Sequence, residues 1–258
     1  MNPFLAPAAG HRMAQNFDAG LVAEEAWDWE AAAKQYTTST MLQPTRTEGF
    51  ERLGKSFARN LQIPLAVERL RKAIKIDEND SPCHLAIGEI LMLPGPDCNF
   101  DEAIEKIERG RELDPQTAQP LASFLTGECH RRKENYEDAA EQFSRAILHT
   151  PDMAKAHFGL ANCTYCMGDV PSAIEGYEKA SSLWEAQGVT TVAALGRQQI
   201  GEDAVLANVL YPALAVGLDD LFMCLGLAYR AKRVQESLAD HSEETKWFRK
   251  ALSVNAKN

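Results

Sequence analysis

A leucine-glycine pair at Leu53-Gly54 returns in variant form as Ile87-Gly88, Thr126-Gly127, Leu160-Ala161, Leu195-Gly196 and Leu225-Gly226. The interval is roughly 34 residues, the length of a helix-turn-helix unit that buries its apolar face only by stacking on copies of itself. A second marker follows in each unit, an alanine with a large residue four positions later: Ala32 and Tyr36, Ala66 and Leu70, Ala103 and Ile107, Ala139 and Phe143, Ala173 and Tyr177, Ala207 and Tyr211. Residues so spaced share one face of a helix, where the small one admits a neighbouring helix and the large one fills the gap beside it. Pro44, Pro115 and Pro151 then stop the second helix of their units, since proline cannot continue it.

The combined pattern resembles the tetratricopeptide repeat, whose signature runs Trp-x2-Leu-Gly-x2-Tyr, then Ala-x3-Phe, Ala and Pro. Phe50, Leu53, Gly54 and Phe57 fill the first-helix slots of the second unit, while Tyr136, Ala139, Phe143, Ala146 and Pro151 fill the second-helix slots of the fourth. Aligned on these markers, the units run over about 13–46, 47–80, 81–117, 120–153, 154–187, 188–218 and 219–258. The resemblance implies an all-α, right-handed α-solenoid of about seven helix pairs, a single superhelix over 13–258 behind a flexible stretch at 1–12. Three local departures are expected. Pro94-Gly95-Pro96 extends the turn in the third unit, Pro212 kinks the second helix of the sixth, and extra residues around 234–242 prolong one or both helices of the seventh.

The chain carries 37 acidic and 27 basic residues, a formal charge of -10. Phosphate binding is carried by an excess of Lys and Arg, so nucleic acid is not the expected ligand. Six cysteines are scattered without the spacing of a disulfide framework, and Cys163 and Cys166 have no second pair to complete a zinc site. Reduced thiols in an intracellular compartment are expected, cytoplasmic or organellar, with no metal and no cofactor. No run approaches the ~20 apolar residues of a membrane span, and the N-terminal stretch makes a poor secretory signal.

Chemistry has little to attach to in this sequence. There is no phosphate-cradling G-x-x-x-x-G-K-[ST], no H-E-x-x-H and no G-x-S-x-G, so an enzyme is not expected. Stacked helix pairs offer instead a curved surface. In the resembled family the first helix of each unit lines the groove, with inward positions at the second, fifth, ninth, twelfth and thirteenth residues. Those positions and their neighbours give Lys55 and Arg59 in the second unit, Glu89 in the third, Phe124, Glu128, Arg131 and Arg132 in the fourth, and Lys155, Phe158, Asn162 and Tyr165 in the fifth. Arg and Lys can engage carboxylates, and the aromatic residues supply apolar contact.

The expected activity is therefore protein-protein interaction, as a scaffold or adaptor within a larger assembly. A receptor for a short C-terminal peptide is the alternative, with Asn162 and basic neighbours on its main chain and carboxylate. The two-carboxylate clamp of co-chaperone domains does not fit, because Phe124 and Glu128 stand where that clamp needs Lys and Asn. At the ends of the array, Trp27 in a turn and Trp247 in the last helix are candidate edge contacts. The final helix is expected to turn Trp247, Phe248 and Leu252 inward, and either to cap the array or to be capped by a second chain.

Overall fold

The computed structural model describes residues 5–93, 98–187 and 218–255, and within them all regular structure is helical. We number the helices in chain order: α1 (Leu5–Glu25), α2 (Trp29–Leu42), α3 (Thr47–Arg59), α4 (Ile63–Ile76), α5 (Ser81–Leu91), α6 (Phe100–Leu113), α7 (Gln119–Arg132), α8 (Tyr136–His149), α9 (Ala154–Cys166), α10 (Val170–Ala186), α11 (Leu218–Gln235) and α12 (Ser242–Asn255). Thr47, Ser81 and Ala154, expected to open units, are the first residues of α3, α5 and α9. The first helix starts at Leu5, ahead of the boundary expected at residue 13. Pro94-Gly95-Pro96 and the sixth unit, with Leu195-Gly196, Ala207, Tyr211 and Pro212, lie outside the described residues.

Two compact units divide the chain, Met1–Ala118 and Gln119–Asn258. In the first, α1 to α6 each pack on the next helix, and the first helices α3 and α5 also touch. In the second, α7 packs on α8, α8 on α9, α9 on α10, α10 on α11 and α11 on α12, with α7 against α9.

The two sequence markers turn out to be the two halves of one contact. A Cβ on Gly54 would lie 2.7 Å from Leu70 Cγ, and one on Gly127 would lie 2.9 Å from the ring of Phe143. The small residue of the first helix is thus a notch for the large residue of the second, and both Leu70 and Phe143 are fully buried. Burying a side chain of that size contributes about 1.5–3 kcal/mol, so each notch fixes helix spacing at a cost that the filled gap offsets. In the first pair the notch is Gly20, on Tyr36, in the reversed order Gly20-Leu21 that the leucine-glycine pattern does not include. Phe143 also reaches into the following pair, where a Cβ on Gly159 would lie 2.6 Å from its ring.

Helix ends follow from local chemistry. The carboxylates of Asp28, Asp80 and Asp169 and the side-chain carbonyl of Asn99 accept hydrogen bonds from the amides of Ala31, Cys83, Ser172 and Glu102, capping α2, α5, α10 and α6. Pro44, Pro115 and Pro151 each follow the C-cap residue of a second helix. Five turns between paired helices close alike: an amide bonds back five residues, as Asp28 N to Ala23 O and Asn135 N to His130 O, behind a left-handed residue. That residue is Trp27, Leu61, Glu134, Gly168 or Ser237, only one of them glycine.

The last pair departs from expectation in one respect. Helix α11 is prolonged to Gln235 and a loop carries the remaining extra residues to α12. Trp247, Ala251 and Val254, at helical spacing, form the buried stripe of α12, so Leu252 falls off it and is 68% exposed rather than turned inward.

Candidate partner-binding surface

On the second unit, the C-terminal turns of the first helices α7 and α9 carry a group of linked polar side chains. Glu128 is almost buried, and its carboxylate accepts two-pronged hydrogen bonds from Arg131, Nη2 to Oε2 at 2.8 Å and Nε to Oε1 at 3.2 Å. Arg132 Nε stands 4.0 Å from the same carboxylate. Burial works against the charge on Arg131, yet the Glu128 carboxylate more than restores it and holds the guanidinium charged. A third of the Arg131 side chain remains open to solvent.

Next to this pair, α9 contributes Asn162, Tyr165 and Cys166. The Oδ1 of Asn162 accepts a hydrogen bond from the Tyr177 hydroxyl of α10 at 2.8 Å and a weaker one from Cys224 Sγ of α11 at 3.9 Å. Its Nδ2 donor has no partner among the described residues. Three helices therefore lock the orientation of one amide and leave its donor side open. Burial pushes the Cys163 thiol up to about 12 and the Cys224 thiol up to about 11, and raises Tyr177 further, so these groups are neutral near pH 7. They act as hydrogen-bonding and packing groups, not as thiolate nucleophiles.

Other residues assigned to the first-helix surface lie elsewhere. Phe124 and Phe158 are core: Phe124 packs on Phe143 at 6.0 Å, and Phe158 on Tyr177 at 5.6 Å and Trp184 at 6.2 Å. First helices have neighbours on two sides, so their buried stripe is wider than that of a surface helix and includes these positions. Lys155 and Glu89 are also buried. In the first unit Lys55 is paired with Glu51, and the Arg59 guanidinium lies 5.1 Å over the ring of Trp29.

The two tryptophans part company. Trp247 is buried, stacked on Phe222 at 5.7 Å and covered by the ammonium groups of Lys246 and Lys250, so it forms no exposed edge. Trp27 is 40% exposed and rests edge-on against Trp29 at 5.9 Å. Tyr177, known from sequence only as the large residue of a repeat marker, and Cys224 join the site without any signal of that role in the repeat pattern. By its spacing Tyr177 is a gap filler, and nothing in that spacing signals that its hydroxyl reaches Asn162. Cys224 arrives from 62 residues away.

The family model described as tetratricopeptide repeat matches residues 99–147 and 130–185. No curated protein sequence matches. Among solved structures, a crystal structure of MamA is 22% identical and covers 80% of this chain and 95% of its own, with a TM-score of 0.55. MamA 41-end from Desulfovibrio magneticus RS-1 is 18% identical over 68% of this chain and 97% of its own, TM-score 0.59. TTC0263, described as a thermophilic TPR protein in Thermus thermophilus, is 13% identical over 66% of this chain and 91% of its own, TM-score 0.56. Likeness at such identity is likeness of fold.

Proposed function

We propose that this chain, a carrier of tetratricopeptide repeats, is a non-catalytic scaffold or adaptor that holds a segment of a partner protein on the α7–α9 surface of its second unit. The observation carrying this reading is the fixed, half-open group of Arg131, Asn162 and Tyr165, set on rigid helices with one amide donor unspent. Rigid helices bear little ordering cost on binding, and Arg and Tyr are the residue types enriched where interfaces concentrate their energy. A place in a larger assembly and a reducing intracellular compartment belong to the same reading, the latter because all six cysteines are free. No described helix is long and apolar enough to cross a membrane.

Reversing the charge of Arg131 is a poor test, because it would set two carboxylates against each other beside a buried Glu128 and destabilise the unit. Arg132→Gln with Tyr165→Leu and Asn162→Leu strips the polar chemistry around Arg131 while leaving the Glu128–Arg131 pair in place. In affinity capture from the native source, with partners identified by mass spectrometry, the variant should lose specific partners about tenfold, ~1.4 kcal/mol. Equal recovery by variant and parent, with unchanged circular dichroism, would remove this surface from consideration. A second reading, recognition of a peptide C-terminus, is favoured by the open Nδ2 of Asn162 beside Arg131. It requires that amidating the C-terminus of a bound peptide weaken binding.

A further inference from the structure

The first unit contains a cleft that the α7–α9 surface does not involve. It holds a volume of about 510 Å³ between α2 and the end of α3, within the size range of small-ligand pockets. Phe57 and Ala33 form an apolar floor, and Glu30, Lys34, Asn60 and Gln62 stand around it. None of these four polar side chains has a hydrogen bond or ion pair among the described residues. Glu30 and Lys34 are spaced i,i+4 on α2, the arrangement in which such residues ordinarily pair, yet they do not. The groove positions of the first helices, such as 51, 55 and 59, do not line this cleft.

The rim adds a second, independent observation. Leu61, between the lining residues Asn60 and Gln62, is held at φ 59° with its side chain 76% exposed. In the neighbouring turn Trp27 has φ 61°. Trp29, which Trp27 touches, is joined to α3 by the Arg59 guanidinium. A left-handed backbone costs an L-residue about 1–2 kcal/mol, and the equivalent turn of the fifth repeat uses Gly168. The left-handed conformation belongs to all five turns of this kind, but Leu61 and Trp27 are the two that place a large apolar side chain in solvent there, Leu61 directly between two residues of the cleft.

We propose that this cleft is a separate binding site for an extended peptide segment bearing an aliphatic or aromatic side chain. The carboxamides of Asn60 and Gln62 each offer a donor and an acceptor in the geometry of a peptide group, and so match a main chain. Phe57 and Ala33 receive one side chain, while Leu61 and Trp27 cover its apolar neighbours. Nucleic acid is the poorer fit, because Lys34 is the lining cation. A free amino acid would satisfy Glu30 and Lys34 but would make no use of the two rim residues.

The test is a selection of displayed, randomised nonapeptides on the full-length protein, followed by fluorescence anisotropy of the selected sequences made with acetylated and amidated ends. The expected result is a peptide family weakened about tenfold by Asn60→Ala with Gln62→Ala, and again by Leu61→Gly, but indifferent to Arg132→Gln with Tyr165→Leu and Asn162→Leu. Leu61→Gly keeps this falsifiable without loss of fold, since relief of the left-handed strain should raise the melting temperature while binding falls. Should no family show that pattern, or should millimolar free leucine move the side-chain amide resonances of Asn60 and Gln62 as the peptides do, the assignment is overturned. Either outcome leaves the α7–α9 surface to be judged on its own variants.

Discussion

At Gly127 a single methyl group would press on the ring of Phe143, and this steric limit is why a leucine-glycine spacing can be read from sequence at all. Ala139 is fully buried on the same helix as Phe143, so Ala139→Leu should cost about 1–3 kcal/mol by overpacking, visible as a lower midpoint in urea unfolding. An unchanged midpoint would refute the small-under-large interlock in that pair. The left-handed turn residues lead in the other direction. Glu134, exposed at φ 62°, should gain up to about 1 kcal/mol as Glu134→Gly, raising the thermal midpoint by about 2–4 °C. Residues whose role depends on several helices are not legible in this way. The hold of Tyr177 on Asn162 and that of Glu128 on Arg131 depend on rotamers and burial, which spacing does not encode. Phe124 and Phe158 count as surface positions along one helix only because such a count ignores neighbours on its second flank.

The starts of α3, α5 and α9 are legible from the repeat spacing, although only α5 among them opens on a side-chain cap. How α11 uses its extra residues is not, since a segment free of Gly and Pro is equally compatible with helix and loop. The caps also make a pH-dependent prediction. Hydrogen bonds from Ser172 hold the Asp169 carboxyl below its ordinary value of 3.8. A carboxyl depressed in the folded state stabilises the fold above its unfolded pKa and loses that contribution as pH falls through the folded one. At about pH 6, denaturant unfolding should therefore find Asp169→Ala less stable than the parent, and the gap should close as the pH is lowered below 3.8. A gap that widens in acid would show that Asp169 does not cap α10 as an anion.

Taken as a whole, the chain brings two chemically different surfaces into one polypeptide, a cleft on the first unit and a polar group on the second. If both are occupied by one partner, the second contact becomes intramolecular and apparent affinity rises without new contacts. The six thiols give a global check on the fold. Cys166 is exposed, Cys98 and Cys224 are partly covered, and Cys83, Cys129 and Cys163 are buried. Thiol titration of the native protein should find Cys166 reacting first, Cys98 and Cys224 more slowly, and the other three only after unfolding. Rapid reaction of Cys83 or Cys129 would mean that the first helices are not packed as described. Finally, the ring of Phe143 fits both Gly127 of its own pair and Gly159 of the next, so the register between successive pairs is written into one side chain. A tandem copy of residues 120–153 inserted after 153 would present a fresh Phe143 ring to Gly159, but it would set Phe124 and Leu125 in place of Phe158 and Gly159 against the original ring. The seam therefore does not accept a plain copy of this unit: an added pair would need a small residue at the position of Leu125 to receive the ring before it.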